Sequence, residues 1–158
     1  MKINLLKAAL VYRNQLSYSI IPVGKDKKPL IKWEQFQKRI AEESEIKGWW
    51  QRWPEANIGI VTGLISGIAV IDIDEPESAQ PVLAGLIPDS LVFPIASTPS
   101  GGQHWYFSCP DGKLGNNAGV VPGADLRANG GYVVAPPSMN GSGKGWKWRE
   151  DLKPTKIA

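Results

Sequence analysis

Ile68-Ala69-Val70-Ile71-Asp72-Ile73-Asp74 is a β-branched apolar run that ends in two carboxylates two residues apart. Strand side chains alternate faces, so Asp72 and Asp74 point the same way. At the C-terminal end of a buried strand, where open α/β sheets place ligands, two such carboxylates repel and must either protonate or share a cation. Oxygen ligands of this kind suit Mg²⁺ or Mn²⁺. Taken alone, the pattern is also that of an ordinary strand running into an acidic turn before Pro76.

The rest of the chain supplies the context for those acids. Its 158 residues fit one domain with a real core, and 42% hydrophobic with 21% charged residues describe an ordinary globule rather than a disordered chain. Eighteen Lys and Arg against fifteen Asp and Glu, a formal charge of +3, permit a polyanionic partner without demanding one. The single cysteine, Cys109, excludes a disulfide within the sequence and a cysteine-based zinc site, and fits a reducing, cytoplasmic setting. The lone His104 excludes His-Glu-x-x-His zinc proteases and two-histidine relaxases. Leu5 to Val11 is too short to span a membrane and is broken by Lys7, so no targeting or membrane segment is expected.

Upstream of the acids, apolar positions at Leu5, Leu6, Ala9 and Leu10 predict a helix over 4–16. A strand over Tyr18 to Val23 and the turn Gly24-Lys25-Asp26-Lys27-Lys28-Pro29 follow. Three lysines directly after a strand form either a solvated loop or a set of phosphate contacts. A second helix is expected from Ser44, as its N-cap, to Trp53, stopped by Pro54. Its cluster Trp49-Trp50-Gln51-Arg52-Trp53 reads as packing against a sheet, with base stacking the alternative and Arg52 on the surface. Asn57 to Gly63 reads as a strand with close backbone approach at Gly59, and Ser66-Gly67 as the turn of a tight hairpin into the acidic strand. A short helix over 76–86, containing Pro81, leads to a strand from Ser90 to Ser97.

Thr98-Pro99-Ser100-Gly101-Gly102-Gln103-His104-Trp105-Tyr106-Phe107 then sets a Ser-Gly-Gly loop before a strand. Paired glycines let backbone N–H groups approach an anion, and Ser100 adds a hydroxyl. On the strand, His104 faces a cleft while aromatics fill the core. Gly115 to Gly123 is expected as an exposed loop, and Asp125 and Arg127 share one face of the segment after it. That pair is either a salt bridge or a third metal ligand beside a phosphate-binding arginine. Gly130 to Ser138 gives a turn, a buried strand and a polyproline exit, and Trp146 to Trp148 an edge strand. Gly141-Ser142-Gly143-Lys144-Gly145 departs from the P-loop pattern and lacks Ser or Thr after Lys144, so it reads as a hairpin turn and no ATPase motif is present.

Several of these motifs, in this order and spacing, are shared with a known family. Lys28-Pro29 with Trp33, Trp49-Trp50, Asn57-Ile58-Gly59-Ile60 with Thr62-Gly63, Asp72-Ile73-Asp74, Thr98 to Gly102 with His104, Gly123-x-Asp125-x-Arg127 and Gly130 to Ser138 resemble the bifunctional DNA primase/polymerase (Prim-Pol) domain of the archaeo-eukaryotic primase superfamily, across about residues 8–150. That family occurs in plasmid, phage and mobile-element replication proteins. The resemblance implies that Asp72, Asp74 and Asp125 hold two divalent ions, Mg²⁺ or Mn²⁺, with His104 beside them in catalysis. It implies nucleotide contacts from Ser100, Gly101, Gly102, His104, Arg127 and Lys28. Single-stranded DNA template and primer, dNTPs or NTPs, and a helicase of the same replication system are the implied partners. The helicase and helical domains that usually follow are expected to be absent from 1–158, as is a zinc-binding stem.

The expected fold is a single α/β domain, a mixed, largely antiparallel sheet with flanking helices, similar to the RRM-like core of those primases. The function expected is template-directed nucleotidyl transfer by a two-metal mechanism. Two other classes stay open: a two-metal nuclease, in which the same carboxylates activate water, and a non-catalytic single-strand binding module that stacks bases on tryptophans.

Overall fold

A computed structural model of the chain describes residues 4–109 and 111–149. The ends of the expected 1–158 domain therefore lie outside the described residues. The elements run α1 (Leu5–Leu16), β1 (Ser19–Val23), α2 (Glu43–Arg52), β2 (Asn57–Val61), β3 (Ile68–Ile73), α3 (Pro76–Leu86), β4 (Ile95–Ser97), β5 (Gln103–Ser108), β6 (Asn117–Val121), β7 (Ala124–Arg127), β8 (Tyr132–Ala135) and β9 (Lys147–Trp148). A 3₁₀ turn at Glu34–Gln37 precedes α2.

The expected α/β single domain is what forms, with its strands divided between two antiparallel sheets ordered β1-β2-β8 and β6-β7-β3-β5-β4-β9. The main core lies between them. Ile20, Ile58, Ile60 and Val133 of the first sheet meet Ile68, Val70, Ala96 and Tyr106 of the second, with Ala9, Tyr12, Ile46 and Trp50 of α1 and α2 joining. On the other face of the larger sheet, α3 packs Ala79 and Leu83 against Ile73 and Ala124. Among the described residues no helix is long and apolar enough to cross a membrane.

Several local expectations change. β2 and β3 do not form a hairpin: Gly63 and Ile68 make one bridge, and the strands then enter different sheets. Both edges of β2 are taken by β1 and β8, and both edges of β3 by β5 and β7, which leaves neither a free edge for the other. At Gly59 a Cβ would stand 3.0 Å from Ile21 and Val23 side-chain atoms, the close approach that the glycine predicted. The cap of α2 is Glu42 rather than Ser44, in a capping box with Glu45. The strand expected from Ser90 begins only at Ile95. Most of the glycine-rich stretch expected as a loop is the exposed edge strand β6, paired to β7 through a register irregularity. The tryptophans of α2 pack: Trp50 is buried, and Trp49 stands edge-on to Phe36 at 5.2 Å. Arg52 is exposed and lies over the Trp53 ring.

Candidate active site

β3 carries the acids into the space between the sheets. Asp72 stands opposite His104 on β5 and opposite Asp125 on β7, so the three occupy one row across adjacent strands. They share the sheet face on which Val70 and Tyr106 enter the core. Asp74 follows just past the end of β3, where its N–H donates to the Gly123 carbonyl at 2.9 Å. Tyr106, fully buried, fills the core beside His104, whereas Trp105 and Phe107, expected as core residues, are half-buried around Phe93 on the other face.

The acids are held by a short ionic chain. His104 Nε2 lies 3.2 Å from Asp72 Oδ1. The Arg127 guanidinium sits 3.8 Å from Asp72 Oδ2 and 3.4 Å from Asp125 Oδ2. Asp125 Oδ1 accepts the Gly119 N–H at 2.7 Å. His104 is buried and its Nδ1 has no partner among the described residues. Burial pushes the Asp72 carboxyl up, but the His104 hydrogen bond and the charges of His104, Arg127 and Lys27 outweigh it and hold the group below its ordinary value. Asp74 is raised, first by partial desolvation and then by the charges of Asp72 and Asp125, although solvent still reaches it. Two carboxylates from one strand are thus driven in opposite directions, a pattern that clusters at functional sites.

Asp72, Asp74, His104 and Arg127 line a cleft of about 600 Å³, while Asp125, beside Asp72 in the sheet, is not part of its lining. Its walls include Lys27, the Thr98–Ser100 loop, Tyr132 at the start of β8, and the turn from Asn140 to Lys144. The expected cradle of the Ser-Gly-Gly loop is only half realised. Gly101 N–H donates to the Thr98 carbonyl at 3.1 Å and Gly102 N–H to Thr98 Oγ1 at 3.1 Å, so both backbone donors are consumed inside the turn. The glycines serve a packing purpose instead: a Cβ on Gly102 would collide with the Ile73 carbonyl oxygen, so only glycine lets the loop lie against the end of the acidic strand. Ser100 remains exposed at the cleft, its Oγ 3.3 Å from that of Thr98.

Of the three lysines in the first turn, Lys27 lines the cleft and Lys28 does not. Lys28 is exposed and donates its N–H to Asp26. Lys27 has left-handed backbone with φ 67°, and its carbonyl accepts the Tyr132 hydroxyl at 2.6 Å, which ties the turn to β8. Three carboxylates close together, one of them raised by desolvation and then by the charges of the other two, are the hard oxygen donors that Mg²⁺ or Mn²⁺ takes, so the donor chemistry fits a divalent ion. Among the described residues no three side chains converge as ligands in the present rotamers. Asp72 is turned to His104 and Arg127, and Asp125 to Gly119 and Arg127.

The family model for the bifunctional DNA primase/polymerase, N-terminal, matches residues 9–158. The chain belongs to this family. A search of the curated proteins returns no match. The Prim-Pol family's activity is that of a DNA primase and polymerase, which places the chain in DNA replication with DNA and nucleotides as substrates. In this Prim-Pol chain the structure brings Asp72, Asp74, Asp125, His104, Ser100 and Arg127 to one place. Sequence reasoning missed Lys27, Tyr132 and Lys144 on the cleft wall. The basic turn was a visible signal for Lys27, but nothing in the sequence chose among its lysines.

Proposed function

We propose that the chain carries out template-directed nucleotidyl transfer, as a primase/polymerase of a plasmid, phage or mobile-element replication system. One observation supports this most: His104, Asp72 and Asp125 form a single row across three strands, with Asp74 just past the end of β3, and His104, Asp72 and Asp74 line a cleft together with Lys27 and Arg127. In this reading Asp72, Asp74 and Asp125 hold two divalent ions, Mg²⁺ or Mn²⁺. Bound there, such ions lower the pKa of the primer 3′-hydroxyl and neutralise charge on the triphosphate.

The chain's own residues do the positioning. Arg127, with Lys27 in place of Lys28, meets phosphate oxygens as permanent cations, and Ser100 contributes a hydroxyl from the rim. His104 donates to a phosphate oxygen after its bond to Asp72 is released, the same change that frees the Asp72 carboxylate for an ion. The 3′-hydroxyl gives up its proton to solvent and attacks the α-phosphorus in line, the new ester bond forms as the α–β phosphoanhydride bond breaks, and pyrophosphate leaves along the cationic wall.

Extension of a labelled primer on a single-stranded template with Mn²⁺ and dNTPs tests this, beside an Asp72→Asn, Asp74→Asn double variant. The expected outcome is metal-dependent lengthening, reduced at least about 100-fold in the variant. Shortening of the strand in place of lengthening would replace the polymerase reading with a nuclease. Strand binding indifferent to Mn²⁺, with no change in length, would replace it with a passive binding module.

A further inference from the structure

The turn Asn140-Gly141-Ser142-Gly143-Lys144 is the hairpin connection its sequence predicted, closed by the bridge between Met139 and Gly145. Its position is what the sequence did not disclose: Asn140, Ser142 and Lys144 stand on the wall of the same cleft as the acids. The base of the turn is clamped. Asn57 accepts the Met139 N–H at 3.1 Å and donates to the Met139 carbonyl at 2.8 Å, and Trp146, buried, donates its N–H to the Ser138 carbonyl at 2.9 Å. The tip is drawn tight by Asn140, whose Oδ1 accepts the N–H groups of Ser142 and Lys144, each at 3.0 Å. Gly143 completes it in left-handed backbone, with φ 78°.

That framework presents a hydroxyl and an ammonium at the cleft. Among the described residues Lys144 Nζ has no hydrogen-bond or ion-pair partner, and it is exposed. It lines the same cavity as Asp72 and Asp74. A lysine held there without a carboxylate partner, beside a serine hydroxyl and small glycines, has the donor chemistry of a phosphate site.

We propose that the turn Asn140–Lys144 is a second phosphate-binding site of this cleft, in which Lys144 Nζ and Ser142 Oγ hold a phosphate group. The site rests on reading the cleft as the place where nucleotide and DNA bind. Two sources share the required chemistry, the backbone of a DNA strand and the distal phosphates of a nucleotide.

Fluorescence anisotropy on the full chain distinguishes them, with a labelled single-stranded oligonucleotide and a labelled nucleoside triphosphate each titrated over a series of salt concentrations. Lys144→Gln is compared with Lys113→Gln, an exposed lysine away from the cleft lining. If the site takes strand phosphate, Lys144→Gln weakens oligonucleotide binding about fivefold at low salt and flattens its salt slope by about 0.7, leaving triphosphate binding unchanged. If it takes the nucleotide tail, the loss falls on the triphosphate instead. Lys144→Arg retains wild-type affinity in either case, because the charge is kept. Affinities for both ligands equal to those of Lys113→Gln would overturn the phosphate site and leave the proposed function standing. Wild-type protein that binds neither ligand would overturn both.

Discussion

Asp72 and Asp74 leave one strand for one cleft, yet their surroundings move their acidities apart. The folded chain binds the Asp74 proton more tightly than the unfolded chain does, so Asp74 costs stability increasingly as pH rises through its folded pKa. The folded chain binds the Asp72 proton less tightly, so the stability Asp72 contributes is present above its unfolded pKa and is lost as pH falls through the depressed folded value. In melts with chelator present at pH 7, Asp74→Asn is expected to raise Tm by up to about 3 °C, because it removes an ill-placed charge. Asp72→Asn is expected to lower Tm by about 2–6 °C, because His104 loses its charged partner and Arg127 keeps only Asp125. On acidification the Asp74 difference shrinks first, because that raised carboxyl protonates above the ordinary carboxylate range, and the Asp72 difference shrinks only as pH falls through its depressed folded value. Shifts of the same sign at pH 7 would contradict this account. At this scale the sequence singled out the acids and His104, which the fold brings together. It could not choose Lys27 over Lys28, because one left-handed residue in the turn redirects the side chains. Nor could it see that the amides of Gly101 and Gly102 are used up within their own loop.

At the scale of elements, a few buried polar side chains join strands that belong to different parts of the chain. Ser138, fully buried at the end of the Pro-Pro-Ser exit, accepts the Ile58 N–H with its Oγ at 2.9 Å and so satisfies the first turn of β2 into the sheet. Ser138→Ala strands that amide inside the core, at a cost of about 1–3 kcal/mol. The expected fall in Tm, read by circular dichroism, is about 3–10 °C for a domain of this size. A change under about 1 °C would show that another acceptor replaces the hydroxyl. The β-branched runs and their period mark β1, β2, β3, β5 and β8 in the sequence itself. The pairing of β2 with β3 was misjudged because a short turn favours a hairpin locally, while each strand found two better partners elsewhere. The exposed strand β6 escaped notice because its glycines and asparagines carry no alternation; pairing to β7 makes it a strand.

For the whole molecule, the cleft exists because two sheets share one core and part where β3 ends, leaving carboxylates in the gap and basic turns around it. An ion that binds only this assembled site must stabilise the fold. Mn²⁺ at about a hundred times its dissociation constant is expected to add about 2.7 kcal/mol, roughly 5–10 °C in Tm. The Asp72→Asn, Asp74→Asn double variant should lose that increment, and an equal rise in the variant would place the ion elsewhere. The sequence by itself determined the α/β class, most of the strands and the identity of the acidic and histidine residues, because alternation, branched side chains and carboxylate spacing are local properties of the chain. Only the tertiary structure decided that the strands form two sheets, that Asp72, His104 and Asp125 become neighbours in one row, and that Lys27 and Lys144 line the same cleft as Asp72. Those outcomes depend on which strand edges pair, and edge pairing is settled by the burial of whole faces rather than by any residue's neighbours in sequence.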